Sequence, residues 1–175
     1  MAAPEREERV LTLGEELLAQ LAAQIGSVER MLELVVEQGQ AIRARDPLKV
    51  VQTVGLLQGE LAHRDLLERQ RQELLERWAT LLGVPVGGVT LRLICSQLPA
   101  ELSARVQRRS AELRGMIAQL EREHAINRAL LGVELAFLDH LLSELGDAAP
   151  AAYNAAGQPP PAGRTEDLHL LDMEA

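Results

Sequence analysis

Aromatic side chains are almost missing: 175 residues hold one Phe (Phe137), one Trp (Trp78) and one Tyr (Tyr153). A β-sandwich or barrel draws heavily on aromatic and β-branched residues, so this scarcity argues against strands. Cysteine is equally rare. Cys95 stands alone, which excludes an internal disulfide, and no metal-ligand spacing surrounds it. A small buried hydrophobe in a reducing compartment is the expectation. Lys49 is the only lysine among 18 basic residues, and the formal net charge is −8. That balance excludes a duplex-binding protein, which needs a basic face to neutralise phosphates. No uncharged apolar run is long enough to span a bilayer, and MAAPEREERV lacks the apolar core of a secretory signal. A soluble, cytoplasmic protein is expected, with no stable membrane insertion.

What remains is leucine set among Glu, Arg and Gln, the composition of long helices. Leu11, Leu18, Ile25 and Leu32 recur every seven residues, and Leu21, Val28, Val35 and Ile42 do so with an offset of three. Together they predict an a/d seam on a helix from about Glu5 to Arg45, with Gly14 and Gly39 at the flanking seam positions. Each glycine weakens such a helix by up to about 1 kcal/mol relative to Ala.

Asp46-Pro47 then marks a boundary. The residue before proline avoids helical geometry, Asp caps a helix, and Pro suits its first position. A second helix from Pro47 to about Leu82 follows, and the short connection makes the two antiparallel neighbours. Its middle, HRDLLERQRQE, reads as partly solvated. GVPVGGV is a loop by its glycine and proline. Thr90 caps a short helix, LRLICSQL, and a last long helix covers residues 99 to 145. The expected fold is all-α: an antiparallel bundle of three long helices with a short extra helix. The body is residues 1–146, followed by a flexible Pro/Ala/Gly-rich tail, residues 147–175, that ends in LHLLDMEA.

The chemistry of catalysis is absent. His63, His124, His140 and His169 form no metal-binding pair, and Gly87-Gly88 lacks the rest of a phosphate loop. No nucleophile, cofactor or metal site is expected. The candidate site is instead the stretch EHAINRALLGVELAFLDHLL. Leu113, Leu120, Asn127, Glu134 and Leu141 fall on one helical line seven residues apart, and His124 interrupts the adjoining line. Polar residues in a leucine stripe have two readings. The stripe is either a core seam whose polar residues fix register, or a surface that a partner covers. Leu130, Leu131, Phe137, Leu138, Leu141 and Leu142 form a wider apolar face than one seam requires.

The order of these features resembles the FlgN family of flagellar type III export chaperones. The residues that carry the resemblance are Leu17-Leu18, the Arg45-Asp46 turn and ELAHRDLL at 60 to 67. Asn127, Leu130 and Leu131 follow in NRALL, then the segment with Phe137, and then Tyr153 and Gly157 in YNAAG. The likeness covers roughly residues 10 to 157. Arg and His in the middle of the second helix depart from the Glu-Lys pattern of the family, and the tail beyond Gly157 has no counterpart. The resemblance implies a chaperone that binds hook–filament junction proteins (hook-associated proteins) near their C-terminal helices. It would prevent their premature assembly and deliver them to components of the export apparatus. Asn127, Leu130, Leu131, Glu134, Phe137, Leu138, Leu141 and Tyr153 are the partner-binding candidates under that reading. The alternative is a structural homodimeric coiled-coil adaptor whose heptads form a permanent interface.

Overall fold

The computed structural model describes residues 3–147, with side chains described for residues 4–144. The expected tail, Tyr153 and LHLLDMEA lie outside the described residues. Four α-helices and one 3-10 turn account for the regular structure, with no strand among the described residues. Helix α1 spans Ala3–Arg43, α2 Pro47–Leu82, α3 Leu91–Gln97 and α4 Ala100–Asp147.

Local chemistry sets each boundary. After α1, Arg45 takes a left-handed conformation (φ 53). The Asp46 carboxylate then accepts the Lys49 backbone N–H at 3.0 Å, and Pro47 occupies the first position of α2. Gly83 ends α2 in the left-handed region (φ 68), where a side chain would be strained. A 3-10 turn at Val86–Gly88 lies inside the segment expected as loop. The Thr90 hydroxyl accepts the Leu93 N–H at 3.2 Å and caps α3, and Pro99 separates α3 from α4.

Cross-links between the helices fix their directions. Arg77 pairs with Glu16, Gln20 Nε2 donates to the Leu67 carbonyl at 2.6 Å, and Arg30 Nε meets Glu60 at 2.9 Å. Lys49 meets Glu37 at 3.0 Å. Numbers rise along α1 as they fall along α2, so the two are antiparallel. On α4 they rise together. Leu102 faces Gly14, Arg105 reaches Glu15 at 3.2 Å, and Asn127 bonds to Val35 at 2.6 Å. Helix α4 therefore runs parallel to α1, after the turn through α3 reverses the chain. Exposed ion pairs of this kind contribute little stability, about 0–1 kcal/mol each. The apolar core does more.

That core is concentrated where the chain turns. Val10, Leu13, Leu17 and Leu21 of α1 pack with Leu74 and Trp78 of α2, Ile94 of α3, Leu98, and Leu102 and Val106 of α4. Trp78 is 0% exposed, and Cys95 packs half-buried against the cluster. Toward the other end of α1, Ile25, Val28, Val35, Ala41 and Ile42 are buried.

The heptad reading of α1 needs one correction. Leu21, Val28, Val35 and Ile42 are buried, as is Ile25, but Leu18 and Leu32 are only half-buried and Leu11 is 45% exposed. Gly14 and Gly39, which continue the Leu21 and Leu11 lines, are where α4 comes closest to α1. A Cβ on Gly14 would sit 2.6 Å from Leu98 and 2.8 Å from Leu102, and one on Gly39 would overlap the Asn127 side chain. Helix α4 thus packs closely on the seam at both glycines.

The chain divides into two units, Met1–Val133 and Glu134–Ala175. All the packing above belongs to the first. Of the second, the structure describes the last turns of α4, from Glu134 to Asp147.

Candidate functional site

The candidate residues on α4 fall into two environments. Asn127 is buried between α1 and α4. Its Nδ2 donates to the Val35 carbonyl at 2.6 Å and to Gln38 Oε1 at 3.3 Å, and Gln38 is itself buried. A carboxamide left without partners at this depth would cost about 1–3 kcal/mol, so both bonds matter to the fold. Asn127 therefore lies in the seam between helices, the register alternative of the sequence reading. Leu130 is half-buried, whereas Leu131 and Val133 are exposed.

In the second unit the character reverses. Glu134 is half-buried, but Leu135, Phe137, Leu138, Leu141 and Leu142 are all exposed, Phe137 by 45%, Leu138 by 51% and Leu142 by 66%. At 3.6 residues per turn, Leu135, Leu138 and Leu142 share one strip, and Phe137 and Leu141 share the strip beside it. Asp139, His140 and Glu144 are interspersed, so the segment is amphipathic. Leu135 belongs to this surface as much as Leu138 does. Its spacing from Leu138 and Leu142 signals as much, although it stands apart from the named motifs.

Ion pairs join neighbouring helices and also successive turns of one helix. The Arg30 guanidinium hydrogen-bonded to Glu60 holds that carboxyl below its ordinary range. Arg71 does the same for Glu68, with Nε at 2.8 Å from Oε2. Among the described residues no group of His, Cys, Asp and Glu is arranged to hold a metal ion. A cavity of about 250 Å³ between α1, α2 and α4, lined by Gln24, Ser27, Arg64 and Leu113 among others, contains no converging nucleophile and base. No described helix is long and apolar enough to cross a membrane.

Helical composition, paired long helices and an amphipathic end define an all-α protein among the described residues. The FlgN protein family model matches residues 13–161, and the chain belongs to the FlgN family. The match covers both the Asn127 seam and the apolar end of α4, and it extends through Tyr153. Comparison with curated proteins and with solved structures finds no match.

Proposed function

We propose that this chain is a flagellar export chaperone that acts in the cytoplasm. It binds hook–filament junction proteins through their C-terminal helices, keeps them unassembled and delivers them to the export apparatus. Family membership supports the class. The observation that carries the client-binding role is the exposed strip of Leu135, Phe137, Leu138, Leu141 and Leu142. An amphipathic client helix laid along it would bury apolar surface on both partners, the helix-in-groove mode of recognition. Full burial of one Leu or Phe side chain contributes about 1.5–3 kcal/mol before the costs of association, so a few anchors suffice. Phe137 is the central anchor in this reading, because an aromatic ring offers large contact area at small entropic cost. Leu131 and Tyr153 are the further contacts proposed, Tyr153 through the extent of the family match. Asn127 serves the site indirectly, by fastening α4 to α1.

The test is calorimetric binding of the full chain to a purified hook–filament junction protein, wild type against Phe137→Ala. Affinity should fall at least tenfold, about 1.4 kcal/mol, while melting moves by only a few degrees. Unchanged binding by the folded variant would remove the α4 strip as the client surface. An obligate dimer without affinity for any junction protein would favour the adaptor reading instead.

A further inference from the structure

The outer face of the first half of α2 has no role in the packing described. Leu48, Val51, Gly55, Gly59, Ala62 and Leu66 follow one another at steps of three and four residues, so they share one helix face. All six are exposed, Leu48 by 76% and Val51 by 70%. The core-facing side of the same stretch carries buried Thr53 and Leu67. Gly55 and Gly59 differ from Gly14 and Gly39 in a telling way. A Cβ at either would meet nothing within 4 Å, so the fold of one chain gives no reason for a glycine there. The face is also uncharged. Within its span Lys49 and Glu60 pair with Glu37 and Arg30 of α1, and His63, Arg64 and Asp65 lie off the six-residue line.

We propose that this face is where a second copy of the chain docks, its α2 antiparallel to the first and crossing it near Leu57. Two arguments select a second copy. First, two chains of net charge −8 repel wherever acidic surfaces meet, and this uncharged face is where they approach at least cost. Second, a two-fold contact brings one patch against itself, so its residue order must read alike from either end. Here large side chains at Leu48 and Val51 stand at one end, Leu66 at the other, and Gly55, Gly59 and Ala62 between them. Antiparallel pairing about Leu57 sets Leu48 of one helix against Leu66 of the other, with Gly55 facing Gly59 at the crossing, while Val51 and Ala62 fall beside the flanking His63 and Gln52. The missing Cβ atoms let the backbones approach, and the leucines close over the ends. An exposed apolar face of this kind otherwise invites nonspecific association.

The experiment is sedimentation equilibrium of the full chain over a concentration series, with Val51→Glu and Leu135→Glu as variants. A monomer–dimer equilibrium is expected for the wild type. Val51→Glu should weaken it at least tenfold while leaving helix content and melting nearly unchanged, because Val51 is exposed. Leu135→Glu, on the end of α4, should leave dimerisation intact. A wild type that is monomeric at every concentration overturns the proposal. So does a dimer that survives Val51→Glu or is lost in Leu135→Glu, since its interface then lies elsewhere.

Discussion

The Asn127 carboxamide occupies the space that Gly39 leaves by lacking a side chain. The amide bonds to α1 at Val35 and Gln38, and the glycine lets α4 approach closely enough for those bonds to form. Asn127→Ala should therefore destabilise the protein by about 1–3 kcal/mol in denaturant melts, the usual cost of leaving buried polar groups without partners. A loss below about half a kcal/mol would mean that the seam tolerates the vacancy.

The glycines of the two long helices should respond to alanine in opposite senses. Gly39→Ala forces a Cβ into Asn127, and overpacking of about 1–3 kcal/mol outweighs a helix-propensity gain of about 1 kcal/mol. Gly55→Ala and Gly59→Ala add a Cβ in open space. Each should stabilise the chain by about 0.5–1 kcal/mol when measured at high dilution. Thermal melts of the three variants give the comparison directly, and stabilisation by Gly39→Ala would contradict the close approach of α4.

Along the heptad line of α1, Ile25→Ala should cost about 2–5 kcal/mol, because that side chain is buried. Leu11→Ala should cost less, about 1 kcal/mol, since nearly half of that residue is already solvated. Trp78, the single and fully buried tryptophan, makes its fluorescence the natural probe. Equal losses at the two positions would show that the line is covered along its whole length.

Acid should loosen the α1–α2 pairing at Glu60. Its folded-state pKa lies below the ordinary 4.5 because Arg30 hydrogen-bonds the carboxylate. The associated stability is complete above 4.5 and is lost as pH falls through the depressed folded value. Glu60→Gln should therefore flatten the acid limb of a stability–pH profile without adding any slope near neutrality. An unchanged acid limb would mean that the ion pair is absent in solution.

Punctuation was the most readable part of this sequence. Asp46-Pro47 and Thr90 marked helix starts that the structure places at those residues, because caps act through bonds only a few residues apart. Helical periodicity identified α1 as a seam helix but misjudged Leu11, since a repeat tells which residues share a face and not which neighbour covers it. The same ambiguity left Asn127 with two readings. Its resolution depends on Val35 and Gln38, about ninety residues earlier in the chain, beyond the reach of any local pattern. Likewise the outer face of α2 has the same period as its core face, and only their contrasting burial separates them.

The concentration of the core around Trp78 has a consequence for how the protein opens. From Pro47 until Leu67, Thr53 is the one buried side chain of α2, and its hydroxyl donates to the Val50 carbonyl of its own helix. Little apolar contact resists separation there. The first half of α2 should exchange its amide hydrogens through local fraying, whereas amides around Leu74 to Ala79 should exchange only with global unfolding. The molecule then behaves as a lever held firmly at the α3 end, with the first half of α2 as the arm that loosens first.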